Sequence, residues 1–205
     1  VRNRTGGSVS LVGDLNATSA STGLLITSNS GGQTIVQGTT KSLSTGANTA
    51  ITMTNNTGHG LIIGAGQLDI DTTSGTGILA SGGGILEIQG GLNTINTTTG
   101  QALSLTDITI GANGVNLETV GASGTTSGTL VDLSNISGGS FTVANTVAGN
   151  ITGAGVRIAG SSAAFTFDYL ELGNSSAPAA MTYGLDLDGN SGSFTTTRSS
   201  IIYYA

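Results

Sequence analysis

Cysteine is absent from this 205-residue chain, and proline occurs once. Without cysteine the chain has no disulfide, no thiolate metal ligand and no catalytic thiol. Charged and aromatic side chains are also scarce, at 8% and 4% of the residues. Glu, Lys and Arg are too few to favour long helices. The 35 Gly residues, with many aliphatic, Ser, Thr and Asn side chains, instead indicate numerous short strands joined by turns.

Positive charge is equally sparse, because eleven acidic residues face only five basic ones and the formal net charge is −6. The basic residues are spread along the chain: Arg2, Arg4, Lys41, Arg157 and Arg198. Nucleic acid is bound by clustered Lys and Arg, so we predict neither a nucleic-acid partner nor an anionic membrane partner. No apolar run approaches the roughly 18 residues of a membrane-spanning helix, so no membrane insertion is predicted.

An internal repeat is the strongest signal in the sequence. Seven times a small residue precedes two aliphatic residues spaced one apart, and the onsets are separated by 27, 27, 25, 28, 25 and 29 residues. A fixed period of this size is typical of a stacked repeat protein. The seven pairs are Leu24/Ile26, Ile51/Met53, Ile78/Ala80, Leu103/Leu105, Val131/Leu133, Val156/Ile158 and Leu185/Leu187.

Each period contains two further runs with alternating apolar residues. A Gly-rich turn precedes the second run, as at Thr34/Val36 and Leu61/Ile63. The third run is more polar, as at Leu68/Ile70, Leu92/Ile95 and Val147/Ile151. Alternation at period two places one side chain inward and its neighbour outward, which is a strand pattern. A two-sheet sandwich also uses short strands, but its turns would not repeat in kind at every third one.

The predicted fold is all-β: a single right-handed parallel β-helix, or β-solenoid, of about seven to eight coils of 25–29 residues, with three short strands per coil. We expect residues 1–205 to form one such segment of a longer chain, with less regular terminal coils over 163–205. Since the usual capping helix is missing at both ends, we expect the open coils to meet flanking domains or a second copy stacked end to end.

Three stretches resemble large exported bacterial β-helix proteins built from β-strand repeats. They are residues 3–9, 68–77 and 107–115, and the resemblance extends over about residues 1–160. Such proteins are similar in layout to autotransporter passengers and filamentous-haemagglutinin-like adhesins. The resemblance implies an extracellular or surface-displayed rod of a bacterium or archaeon. It transfers no catalytic residue, because the matching positions are turns and core residues.

Outward positions of the first run should stack into columns. One column holds Asp132, Arg157 and Asp186 in successive coils, preceded by Leu25, Thr52, Leu79 and Ser104. The charged triplet is interpreted either as part of a groove for acidic sugars or, as we favour, as charge compensation between strands.

The next outward column is rich in hydroxyl groups: Thr27, Thr54, Ser81, Thr106 and Ser134, followed by Ala159 and Asp188. Together with Thr52 and Ser104 these residues are candidate surface contacts, and their spacing resembles the Thr arrays of ice-binding solenoids. Leu25, Leu79 and the charged triplet interrupt the regular lattice that ice binding requires, so solvated strand residues are the favoured interpretation.

Three other features could carry chemistry but are predicted to be structural. Residues 186–192 resemble the opening of a calcium loop, yet Ser191 and Thr197 stand where an EF-hand has Gly and a bidentate acid. Asp69 and Asp71 face outward together without a visible partner wall. His59, the single histidine, lies between glycines and is predicted to be a turn residue. We therefore predict no catalytic residue, no metal and no cofactor.

The sequence thus favours a non-catalytic structural or adhesive rod. Alternatives left open are a fibre subunit that stacks through open coil ends, a polysaccharide-binding or polysaccharide-degrading β-helix, and an ice-binding solenoid. The partner expected is either the chain itself, stacked end to end, or flanking domains of the same chain, and glycans are a further candidate.

Overall fold

The computed structural model describes residues 1–19, 21–64, 66–173, 181–198 and 200–203. Within them there is no helix, 59% of the residues are in strands, and the strands stack as a β-solenoid of about seven turns. The predicted all-β solenoid is confirmed. The strands are β1 (Ser8–Leu11), β2 (Leu15–Ala17), β3 (Leu24–Thr27), β4 (Gln33–Val36), β5 (Thr40–Gly46), β6 (Ile51–Thr54), β7 (Gly60–Ile63), β8 (Gln67–Thr72), β9 (Ile78–Ser81), β10 (Ile85–Ile88), β11 (Thr94–Thr97), β12 (Leu103–Thr106), β13 (Thr109–Thr126), β14 (Val131–Ser134), β15 (Ser137–Gly138), β16 (Ser140–Ile151), β17 (Ala154–Ala159), β18 (Ala164–Leu172), β19 (Tyr183–Asp188), β20 (Phe194–Thr195) and β21 (Ile201–Ile202).

The coils present three faces. The first face is a seven-stranded parallel sheet of β3, β6, β9, β12, β14, β17 and β19. The second face begins with β1, β4, β7 and β10, and the third with β2, β5, β8 and β11. From β13 onward, single long strands run from the second face into the third, so these two faces form one 14-stranded sheet.

Parallel pairing keeps equivalent residues of successive coils side by side. On the first face the register runs from Leu24 to Ile51 and on to Ile78, and it continues without a shift to β17. Alternate residues of each strand therefore point into a common interior. The inward residues of this face, each at most 1% exposed, are Ile26, Ile51, Met53, Ile78, Ala80, Leu103, Leu105, Val131, Leu133, Val156 and Ile158.

The corner after each first-face strand contains a residue with left-handed backbone geometry, with φ between 54° and 72°. Gly, Asn and Asp adopt this conformation at the lowest steric cost, which explains their recurrence at this point of the repeat. The residues are Ser28, Asn55, Gly82, Asp107, Asn135, Gly160 and Gly189. The corner, rather than the strand, therefore sets where each coil turns from the first face towards the second.

Three apolar residues that the repeat pattern places on the inner side are exposed, although Leu187 still faces the same side as its register partner Ile158. Leu92 is 64% exposed in a corner with φ of 62°, and Leu187 is 45% exposed in β19, which pairs with β17 on one side. Val147 is 41% exposed, because β16 bends at the corner between the second and third faces. The bend places Ala144 and Asn145 consecutively outside the core, so the inward position passes to Thr146.

Candidate functional site

The charged column of the first face forms the contacts that its register implies. Arg157 Nη1 lies 3.1 Å from Asp132 Oδ1, and Arg157 Nε lies 3.6 Å from Asp186 Oδ2. Arg157 Nη1 also donates to Ser134 Oγ at 2.9 Å. Two carboxylates and a hydroxyl thus contact the guanidinium of a side chain that is 36% exposed. The arrangement compensates charge between neighbouring strands and leaves little of the guanidinium to bind an acidic ligand.

The hydroxyl column also lies in register. Thr27 pairs with Thr54, and the column continues through Ser81, Thr106 and Ser134 to Ala159 and Asp188. Thr27 Oγ1 and Thr54 Oγ1 are 3.0 Å apart, so they hydrogen-bond to each other. The adjacent column begins at Leu25, which is 42% exposed. Neighbouring hydroxyls that satisfy one another beside an apolar side chain form a poor template for ordered water.

His59 occupies a corner, as a turn residue should, but its side chain lies inside the solenoid and is fully buried. Its Nδ1 is 2.8 Å from the carbonyl oxygen of Gly31, and its Nε2 is 3.0 Å from Thr34 Oγ1. A carbonyl can only accept, so Nδ1 carries a hydrogen and donates it to Gly31, while Nε2 shares a second hydrogen bond with the Thr34 hydroxyl. The imidazole therefore joins two coils from within.

The calcium-like segment does not gather its oxygen atoms around one point. Asp186 faces Arg157, whereas Asn190 points to the backbone. Asn190 Oδ1 accepts from Ser161 N at 2.9 Å, and its Nδ2 donates to the carbonyl of Ile158 at 2.7 Å. Among the residues that the structure describes, no group of three or more His, Asp or Glu side chains could hold a metal ion.

Glu87 is a buried acid on the outer side of the second face. In the neighbouring strand, Leu86 pairs with Ile110 and Ile88 pairs with Val115, so β13 has three more residues than β10 between these two pairs. The extra residues fold over the Glu87 carboxylate. Burial alone would raise the pKa of Glu87, but hydrogen bonds from Asn113, Gln89 and the Ala112 amide hold it below its ordinary 4.5. A Cβ on Gly111 would collide with the Glu87 carboxylate, so a larger residue there would have to displace that side chain. The acid anchors a protruding loop.

The paired acids of the third face stand beside polar partners from the next coil. Asp69 pairs with Thr94, and Asp71 pairs with Asn96. Thr94 Oγ1 donates to Asp69 Oδ1 at 2.7 Å. Partial burial and the nearby Asp69 charge raise the pKa of Asp71, while a hydrogen bond from Asn96 opposes the shift.

Two adjoining hollows open on this face, with volumes of about 360 and 420 Å³. Both are lined by Asp71, Asn96 and Ser123, and the larger one extends to Gly121 and Val147. We call this depression the third-face groove. The two acids stand out in the sequence, whereas nothing local marks Asn96, Gly121 and Val147 as groove residues, although their spacing of 25 and 26 residues matches the repeat.

Arg198 ties the carboxyl-terminal part of the third face together. Its Nε lies 3.0 Å from Asp168 Oδ2, and its Nη2 donates to Asn145 Oδ1 at 2.9 Å. Its guanidinium also lies over the Tyr169 ring, 5.3 Å from the centroid. A hydrogen bond to Glu171, with added burial and the negative charge of that acid, raises the pKa of Tyr169. These contacts join three successive coils, and no sequence motif predicts them.

Comparison of the chain with family models, with curated proteins and with solved structures finds no match. In the described parts of the chain there is no helix long and apolar enough to cross a membrane. The class of protein defined by the fold is a parallel β-solenoid.

Proposed function

We propose that this chain is a non-catalytic structural rod of an extracellular or cell-surface protein, with weak adhesive contacts along its polar faces. The observation that carries the proposal is the unshifted parallel register of the first face from β3 to β17, over one continuous core. Backbone hydrogen bonds join successive coils along their strands, so the solenoid should resist extension along its axis.

The location rests on the sequence resemblance to exported bacterial β-helix proteins. This chain has no cysteine and few charged residues, and both features are common in such exported proteins. A bacterium or archaeon is the proposed source. End-to-end fibre assembly and ice binding stay predictions, and the hydrogen-bonded Thr27–Thr54 pair argues against ice binding.

Single-molecule pulling of the chain between two marker domains tests the rod. Because each coil is bonded mainly to its neighbours, we expect stepwise extension in which each step releases one coil of 25–29 residues, or roughly 80–100 Å. Smooth extension without resistance would contradict the proposal. Release of new sugar ends from a panel of polysaccharides by the purified chain would overturn its non-catalytic part.

A further inference from the structure

The three faces of the solenoid differ in what they offer a ligand. On the first face, the hydroxyl column bonds to itself at Thr27 and Thr54, and Arg157 is engaged by two carboxylates. On the second face, Ile35 and Ile62 precede Glu87 in one outward column, and Glu87 is covered by its loop. The third face combines an open groove with polar groups that reach solvent.

The shape of the third-face groove comes from a missing side chain. In the outward column, Gly121 stands between Asn96 and Val147 in three successive coils. A Cβ at Gly121 would lie 2.9 Å from the Val147 carbonyl oxygen and 3.6 Å from Asn96 Oδ1. The glycine therefore leaves a gap bounded by an amide on one side and by an exposed valine on the other.

We propose that the third-face groove binds an extended, neutral polysaccharide that lies along the axis of the solenoid. The proposal rests on the function proposed above, because it names the face and the ligand class of the adhesive contacts. Asp71, Asn96 and Ser123 supply acceptors and donors for sugar hydroxyl groups. Val147, 41% exposed, supplies an apolar surface for the C–H face of a sugar ring.

The repeat of the solenoid supports an extended ligand. Successive coils are about 4.8 Å apart, which is close to the length of one sugar in a flat β-1,4-linked chain. Alternate sugars of such a chain are turned over, so the same edge recurs at every second coil: one edge would meet Asp71 and Gly121, and the other would meet Asn96 and Val147. An α-1,4-linked chain winds into a helix and cannot keep this alignment.

The charges support a neutral ligand. Asp69 and Asp71 make the amino-terminal end of the groove acidic. Three of the five basic side chains are engaged elsewhere: Arg157 lies on the first face, Arg198 is bound to Asp168, and Lys41 is buried with its ammonium bonded to the Gly38 carbonyl. A polymer of acidic sugars would be repelled at this end of the groove.

Titration of the full isotope-labelled chain, followed by amide NMR shifts, tests the proposal with three six-sugar probes. We expect the β-1,4-linked glucose hexamer to shift the amides of Asn96, Gly121 and Val147. The α-1,4-linked glucose hexamer and the galacturonate hexamer should bind about 10-fold more weakly or not at all. Absence of shifts at these three amides, equal binding of the galacturonate hexamer, or shifts confined to the first face would each overturn it.

A matched pair of variants separates binding from folding. Asn96→Ala should weaken binding of the β-linked hexamer about 10-fold, since an amide that pairs with hydroxyl groups is lost. Ser104→Ala alters an outward polar residue of the next strand, on the first face, and should leave binding unchanged. Equal affinities of the two variants would overturn the proposal that the third-face groove is the binding site. If binding fails while pulling still shows coil-sized steps, the rod stands and the ligand assignment falls.

Discussion

The amino-terminal and carboxyl-terminal coils enclose different interiors. In the amino-terminal coils the core includes polar side chains with at most 1% exposure, namely Asn29, Thr34, Lys41, Thr45, Asn56 and His59. The carboxyl-terminal coils also bury Thr146 and Ser161, but there phenylalanine rings stack from coil to coil. The Phe141 and Phe167 centroids are 6.1 Å apart, and those of Phe167 and Phe194 are 5.9 Å apart.

The difference shows what a coil of this kind can accept in its interior. Corners expose carbonyl groups to the inside, and polar side chains near a corner use them, as His59 does at Gly31 and Lys41 at Gly38. Asn29 and Asn56 bond to each other at 2.8 Å. Buried polar groups are tolerated when they are paired, so the polar core depends on hydrogen bonds and the aromatic core on packing.

Phe167→Ala should cause the largest loss of stability. The ring is fully buried between two others, so its removal leaves a cavity as well as lost apolar burial. We expect the free energy of unfolding to fall by about 3–5 kcal/mol in denaturant titration. Phe167→Leu, which keeps most of the volume, should cost less than half of that. A loss below about 1 kcal/mol for the alanine variant would show that the ring stack does not hold these coils.

His59→Ala should cost somewhat less, about 2–4 kcal/mol, because the Gly31 carbonyl and the Thr34 hydroxyl lose their partner inside the core. Thermal unfolding of the variant provides the measurement. Thr57→Ala in the same corner is the control, since Thr57 is exposed and should change stability by less than about 0.5 kcal/mol. Equal effects of the two substitutions would show that the buried His59 imidazole does not stabilise the fold.

Lys41→Met tests the polar core through pH. Burial lowers the pKa of Lys41 below its ordinary 10.5, against the attraction of Asp14. The unfolded chain therefore binds more protons than the folded chain between the lowered pKa and 10.5, and stability rises with pH in that window. Relative to the methionine variant, the wild-type chain should gain free energy of unfolding as the pH approaches 10.5. A difference that stays constant with pH would contradict the buried ammonium.

Arg157→Met should have the smallest effect, about 0–1 kcal/mol, because its ion pairs are partly exposed. Added salt should reduce the difference between the variant and the wild-type chain in denaturant titration, since it screens exposed pairs. A loss as large as that of His59→Ala would mean that the charged column stabilises the coils as strongly as the core does.

The sequence predicts contacts between equivalent positions of neighbouring coils, because the repeat period places those positions side by side. The period alone aligns Asp132, Arg157 and Asp186, since pairing between neighbouring strands follows it directly. Strict alternation predicts that Val147 points inward, but β16 bends before it, and one extra outward residue at the bend reverses the faces.

The candidate groove shows the other limit of sequence patterns. Gly121 is one glycine among 35, and its effect becomes visible only beside Asn96 and Val147 from the neighbouring coils. His59 between two glycines indicates a turn, but nothing local tells which way its ring points. Interior contacts between coils are set by side-chain direction, which a one-dimensional pattern does not contain.

Engineered disulfides test the stacked register most directly, since the natural chain has no cysteine to interfere. Thr52 and Leu79 are register partners, whereas Thr52 and Ser104 lie two coils apart. Partners about 4.8 Å apart fit a disulfide, and residues roughly 9.6 Å apart do not. We predict that the Thr52→Cys/Leu79→Cys chain forms an internal disulfide on oxidation and that the Thr52→Cys/Ser104→Cys chain stays reduced as a monomer. Crosslinking of the second pair but not the first would contradict the register on which both proposals depend.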